Sequence, residues 1–295
     1  MIRERKSINI IKFWIVLIVF LFVLSFPVRF YHKFKDSLLK DIGRLNFVFG
    51  GREGFVFAFS IENKEITVVT LPSTKKIELT RGFGEYEIGK IYSLGNLDNK
   101  GGELLKESIQ EYLKIPIFGY FYDDDLFFSE MNVRARPKDV ILRILSKSLR
   151  GKTKTDINKI DLVFLFLKMF RFSNGKIEVI GEENFSEDVF EDKTLRRESL
   201  SFEVLNATDH GGLARSASGL LSRSGARVVR VADAFEKRER CFISFNPAER
   251  ESYTLKWLKT VFKDCDFGSF GDSSPRADFR IVIGEDYWKL LSEKW

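Results

Sequence analysis

The chain opens on an unbroken apolar run. From Phe13 to Val28 sixteen residues carry no charge, and a helix of that length spans about 24 Å. Extending it back to Ile8 gives about 31 Å, close to a hydrocarbon core of about 30 Å, with Lys12 snorkelling to the headgroups. The run is longer than a signal-peptide core. It ends in Leu24-Ser25-Phe26-Pro27-Val28-Arg29, without a small-x-small cleavage site. It therefore predicts an uncleaved anchor spanning about 8–28, with Trp14 at one interface and Phe30-Tyr31 at the other.

The period then changes. Asp36–Arg44 reads as a short helix leaving the membrane. Phe47-Val48-Phe49 is an apolar strand before the Gly50-Gly51 turn. Phe55–Ile61 and Ile66–Leu71, separated by Glu62–Glu65, predict a hairpin that Pro72-Ser73-Thr74 ends. Leu104, Leu105, Ile109 and Leu113 have helical spacing, and Ile115–Tyr122 is a strand. Val140, Ile141, Ile144, Leu145 and Leu149 mark an amphipathic helix after Pro137. Thr155 can cap a further helix from Asp156 to Phe172. That helix is apolar nearly all round, as a core helix or the wall of a lipid pocket would be. Lys159, Asp161 and Lys168 interrupt it and argue against a second span. Glu182–Glu198 holds seven acids and reads as a solvated linker between domains.

From Ser201 onward the pattern is β-α-β-β-α-β. Strands are predicted at 202–205, 226–231, 240–245 and 279–283. A helix with Leu213, Ala217, Leu220 and Leu221 ends at Gly225, and another covers Glu249–Phe262. The fold class is α/β (α+β): one N-terminal transmembrane helix followed by two small α/β domains. The boundaries are 1–35 for the cytoplasmic tip and anchor, 36–181 for the first domain, 182–198 for the acidic linker and 199–295 for the second domain.

Composition narrows the function classes. With 44% hydrophobic and 31% charged residues the chain is globular, neither disordered nor collagen-like. Two cysteines exclude a disulfide-dense mini-protein and a four-cysteine zinc site, and His32 and His210 lie too far apart for a local zinc motif. The net charge of +6 sits at one end: residues 1–35 hold seven Lys/Arg and one Glu, and the rest is near neutral. A basic stripe within the folded part, the footprint of a nucleic-acid binder, is missing, so the excess reads as membrane flanking. Basic residues stand on both sides of the span, and the positive-inside bias is small. The simplest orientation keeps the short N-terminus inside and exports the bulk, which predicts a single-pass cell-membrane protein.

Four features carry candidate chemistry. Asp123-Asp124-Asp125 has the ligands for a hard cation, but consecutive residues on a strand diverge, which favours an exposed loop. The loop with Asn206, Thr208, His210, Gly211 and Gly212 runs into a helix N-terminus. That geometry suits an anion, or a cap in which Thr208 or Asp209 satisfies the first-turn N–H groups. Ser216, Ser218 and Ser222 lack any nucleophile-elbow context. Cys241 and Cys265 suit either a disulfide or two buried thiols.

Val204-Leu205-Asn206-Ala207-Thr208, Gly212-Leu213-Ala214, Leu221, Gly225-Ala226-Arg227-Val228-Val229 and Ile281-Val282-Ile283-Gly284-Glu285-Asp286-Tyr287 fall in order with suitable spacing. Over residues 201–290, about a third of the chain, this resembles the LytR C-terminal domain found at the end of many LytR-CpsA-Psr envelope proteins. Ile66–Leu71-Pro72, Lys90-Ile91-Tyr92-Ser93, Ile109 through Leu113-Lys114-Ile115-Pro116-Ile117 and Lys154-Thr155-Asp156-Ile157 resemble elements of the catalytic domain of that family. This second resemblance spans about residues 47–172, in a shortened and degenerate form.

The resemblance implies an envelope protein whose relatives transfer wall polymers from a polyprenyl pyrophosphate carrier to peptidoglycan, with acids holding Mg²⁺ and arginines the diphosphate. Here Ser73 and Thr74 stand where the family's Pro-Arg-Asp motif has its Arg and Asp, so no catalytic residue carries over. The expectation is binding or scaffolding at the cell wall without a cofactor. Partners are wall glycan, carrier lipid or another envelope protein, and not nucleic acid. The alternative is a divergent phosphotransferase using Mg²⁺, with Arg81, Lys90, Arg134 and Arg136 as substitute phosphate contacts.

Overall fold

The computed structural model describes residues 13–14, 37, 42–51, 54–62, 65–125, 130–172, 176–186, 188–270 and 276–295. Apart from Phe13 and Trp14, the predicted anchor lies outside these residues. Among the described residues no helix is long and apolar enough to cross a membrane.

The first unit is built on β1 (Arg44–Gly51), β2 (Val56–Glu62) and β3 (Glu65–Leu71), an antiparallel meander. Every residue of β1 and β2 is buried, which needs cover on both faces. On one face Phe47 stands opposite Phe59 and Phe49 opposite Phe57, with ring centroids 5.3 and 5.1 Å apart. Phe121 of the next strand lies 5.9 Å from both Phe47 and Phe59. Cross-strand aromatic pairs of this kind add roughly 0.5–1.5 kcal/mol each beyond their buried area. Part of the chain's large phenylalanine content is placed here. Val48, Val56, Ala58 and Val69 line the opposite face.

A small hairpin follows, β4 (Lys76–Leu79) with β5 (Gly84–Glu87). Then come α1 (Ile91–Gly95), α2 (Gly101–Leu113) and β6 (Gly119–Asp123). After α3 (Glu130–Ala135) and α4 (Pro137–Leu149), β7 (Lys154–Thr155) pairs with β6. Finally α5 (Lys159–Arg171) leads to β8 (Lys176–Gly181). The sheet order is β7-β6-β1-β2-β3-β8. Val140, Ile141, Ile144, Leu145, Leu162, Leu165 and Met169 of α4 and α5 cover the phenylalanine face. Leu104, Leu105, Ile109 and the hairpin's Ile77 and Leu79 cover the other. Helices on both faces of a sheet give a three-layer unit.

Several local expectations change. Gly50 and Gly51, expected to form a turn, are the last two residues of β1. Of the helix predicted over Asp36–Arg44, Ser37, Ile42 and Gly43 are not helical and Arg44 opens β1, while the rest lies outside the described residues. Thr155 lies on β7, and the cap of α5 is Asn158, whose side chain accepts from Asp161 N–H at 2.9 Å. The acidic stretch is packed: Phe190, Asp192 and Leu195 are each 2% exposed. Asp192 accepts from Thr194 N–H and Leu195 N–H and so caps α6 (Lys193–Glu198). Composition alone cannot distinguish a solvated acid from one that receives backbone donors.

The C-terminal unit comprises β9 (Ser201–Asn206), α7 (Leu213–Arg223), β10 (Arg227–Asp233), β11 (Phe242–Phe245), α8 (Tyr253–Val261), β12 (Asp266–Ser269), β13 (Phe279–Ile283) and α9 (Glu285–Ser292). The order is β10-β9-β13-β11-β12. The predicted β-α-β-β-α-β core is present, with β12 at an edge and α9 added after β13. Gly225, at φ +97°, ends α7 in the left-handed region that suits glycine. Cys241 and Cys265 are bridged, their Cα atoms 4.7 Å apart.

Buried apolar side chains run without a break from the phenylalanine face through Leu195 to Phe202, Trp257 and Phe279. The two units share one core. Polar ties reinforce it. Tyr253 hydroxyl donates to Asp192 and accepts from Gly43 N–H at 2.7 Å. Glu198 receives Tyr253 N–H and Thr254 N–H, both at 2.8 Å, at the start of α8.

Candidate functional site

The loop between β9 and α7 is wound on its own side chains. Asn206 Oδ1 accepts from Thr208 Oγ at 2.9 Å, and Thr208 Oγ accepts from His210 N–H at 3.0 Å. Asn206 Nδ2 donates to the His210 carbonyl at 3.0 Å. Asp209 points away and pairs with Lys237. Neither Thr208 nor Asp209 therefore supplies the expected cap. Gly212, at φ +90°, is the N-cap residue, and no side chain caps α7. An uncapped helix N-terminus is open to an anion.

His210 sits above α9. Its ring stacks on Trp288 with centroids 3.9 Å apart and planes 6° apart, and Nε2 lies 3.3 Å from Glu285 Oε2. The structure thus joins Asn206, Thr208 and His210 in one hydrogen-bonded turn. A Cβ on Gly211 or Gly212 would meet nothing within 4 Å. The partners on α9 were not legible, because that helix was not predicted.

The residues of the alternative phosphate site are spread over several elements. Arg81, in the left-handed turn between β4 and β5 at φ +62°, holds Glu107 of α2 through two bonds of 2.8 and 2.9 Å. Lys90 pairs with Glu87 at 2.8 Å. Arg134 lies on α3, and Arg136 is the N-cap residue of α4. One part of the sequence pattern does converge: the Ser73 carbonyl accepts from Gly89 N–H at 2.9 Å, bringing the Pro72–Thr74 turn against the segment that holds Lys90.

The three consecutive acids do not share one exposed loop: Asp123 ends β6 and is 3% exposed, and Asp124 and Asp125 lie exposed in the turn that follows. Asp123 Oδ2 meets Lys147 at 2.7 Å and Thr153 at 3.1 Å, while Asp124 Oδ1 accepts from Tyr122 hydroxyl at 2.8 Å. Among the described residues no group of three or more His, Cys, Asp or Glu is placed to hold a metal ion.

Sequence reasoning missed two charged clusters. Arg44 is 5% exposed and donates to Ser60 at 2.7 Å, Glu62 at 3.3 Å, Thr67 at 3.2 Å and the carbonyls of Glu191 and Val189 at 3.0 and 2.6 Å. Burial pulls its guanidinium below the ordinary value against the attraction of Glu62. Burial also raises Glu62. The second cluster joins the two units: Lys114 Nζ donates to Ser216 Oγ at 2.7 Å, Ser216 donates to Glu111 at 2.6 Å, and Arg223 donates to the Leu113 carbonyl at 2.7 Å. Burial, helped by the charge of Arg223, lowers Lys114 to about 8.

Two clefts flank these clusters. One of about 670 Å³ lies between the β4–β5 hairpin, α2 and α9, lined by Leu79, Glu111, Tyr112 and Leu291. Another of about 710 Å³ is lined by Arg44, Thr67, Glu178 and Lys193. None of the sequence-predicted site residues lines either.

Residues 199–287 match the family described as LytR cell envelope-related transcriptional attenuator. This agrees with the resemblance read over 201–290. The comparison with curated proteins finds no match. Solved structures with similarity include the transcriptional regulator yvhJ from Bacillus subtilis, at 14% identity, TM-score 0.36, 47% of this chain and 82% of that one. TagU from B. subtilis matches at 11% identity, TM-score 0.33, over 46% of this chain and 83% of that one. A transcriptional regulator from Enterococcus faecalis matches at 13% identity, TM-score 0.34, over 75% of this chain and 96% of that one.

Proposed function

We propose that the protein is a bacterial cell-envelope component, held in the cell membrane by its N-terminal apolar segment, with the bulk of the chain extracytoplasmic. In this reading it binds or scaffolds at the cell wall without turnover. The observation that carries the reading is the family match over residues 199–287. The anchor follows from the length of the apolar run and the basic residues around it. The non-catalytic part is supported by the charge pairing: Arg81 is engaged by Glu107 and Lys90 by Glu87. A carboxylate partner offsets the charge that a diphosphate needs.

The test is retention of the detergent-solubilised full chain on isolated peptidoglycan sacculi. Saturable retention with no change to the wall is the expected result, and no retention overturns the wall-binding reading. Thermal unfolding with a polyprenyl diphosphate and Mg²⁺ is the companion measurement. A ligand present at a hundred times its Kd adds about 2.7 kcal/mol. A Mg²⁺-dependent shift followed by transfer of glycan to the wall would replace this reading with the phosphotransferase.

A further inference from the structure

Helix α5 packs one face and leaves another bare. Leu162, Leu165 and Met169 are buried against the first sheet and α4. On the outer side Val163 is 44%, Leu167 39% and Phe170 66% exposed. At 3.6 residues per turn these three fall within an arc of about 60°. Phe166, half-buried at the edge of this stripe, stacks on Phe170 with centroids 6.3 Å apart. Lys159 and Arg171 are exposed on the same side, one at each end of the helix. The helix's one acid, Asp161, is 1% exposed and faces inward. Apolar residues between basic ends, with no outward acid, are the pattern of a helix lying in an anionic lipid interface.

The entry point of the chain decides what covers this stripe. Ser37 is 2% exposed, and its hydroxyl donates to Asp161 in the first turn of α5. Nine peptide steps separate Ser37 from Val28, the end of the apolar run. Fully extended they reach at most about 32 Å. The first turn of α5 is thus tethered within about 32 Å of wherever that run enters the bilayer. At the far end of the helix, Lys138 of α4 donates to the Phe172 carbonyl, which docks the α3–α4 corner there. Met131 of that corner is 78% exposed.

We propose that α5 lies along the phospholipid surface beside the anchor, with Val163, Leu167 and Phe170 sunk into the boundary between headgroups and acyl chains. The proposal rests on the membrane-anchored reading above and adds how the folded part is held against the bilayer.

The experiment uses the full chain in vesicles containing anionic phospholipid. One added cysteine is spin-labelled at a time, in L167C, F170C and, as a control, V229C; Cys241 and Cys265 are bridged and stay silent. Val229 is 48% exposed on β10. Labels at 167 and 170 are expected to collide more with oxygen than with a polar nickel chelate, and the label at 229 the reverse. Nickel access at 167 and 170 equal to that at 229 overturns the proposal. Protection from both reagents also overturns it, because the stripe is then covered by protein, either the N-terminal segment or a second copy. Alkaline carbonate extraction separates the two levels. Release of the protein sinks the anchor reading and this proposal together. Retention with nickel-accessible labels sinks this proposal alone.

Discussion

Lys114 Nζ, just past the C-terminus of α2, stands 2.7 Å from Ser216 Oγ on α7 and pairs with Glu111, so a cation of the first unit is half-buried in the seam with the second. Its pKa falls from 10.5 to about 8, first through burial and then through Arg223. Between those values the unfolded chain holds the proton and the folded chain has released it. This group's contribution to stability therefore rises with pH across that window and is lost as pH falls through 8. Competitive amine labelling across pH should show Lys114 titrating near 8, well below the exposed lysines. Arg223→Gln should move it upward.

Arg44 and Glu62 are 5% and 2% exposed. Removing either leaves an uncompensated buried charge. Arg44→Ala and Glu62→Ala should each cost about 3–5 kcal/mol in urea unfolding. A paired replacement, Arg44→Met with Glu62→Leu, should recover most of the loss. Equal damage from the pair would show that Ser60, Thr67 and the two carbonyls bonded to Arg44 matter more than the ion pair.

Phe59 is fully buried in the aromatic ladder, whereas Phe170 is 66% exposed. Phe59→Ala should cost about 3–5 kcal/mol. Phe170→Ala should stay within about 0.5 kcal/mol in detergent solution, as surface changes do. Calorimetry of the two variants checks the contrast.

The bridge between Cys241 and Cys265 joins the residues just before β11 and β12 and closes a loop of 24 positions that contains β11 and α8. Reduction, or Cys265→Ser, should lower stability by about 3 kcal/mol in the chain-entropy account. Thiol titration of the denatured, unreduced protein should find no free thiol. Two free thiols would remove the bridge.

Local patterns were legible where local physics is strong. The hairpin of β2 and β3 follows from two apolar runs flanking a charged turn, and α4 follows from Pro137 and the 3.6 period. Edge elements were not. β12 has four residues, none of them buried, so no apolar run announces it. β8 and the β4–β5 hairpin carry mixed polar patterns because they lie at edges. The seam was illegible for another reason: Lys114 and Ser216 are 102 positions apart, and no periodicity links them. The turn at Asn206–Gly212 was found from its composition. Its partner Trp288 was seen only as a residue after the last strand, not as the floor beneath His210.

β1 begins at Arg44, seven residues after Ser37, and lies inside its sheet between β2 and β6. A pull transmitted from the N-terminal side therefore runs along the axis of an interior strand. It meets the ladder bonds to β2 and β6 sideways and together, rather than unzipping them singly.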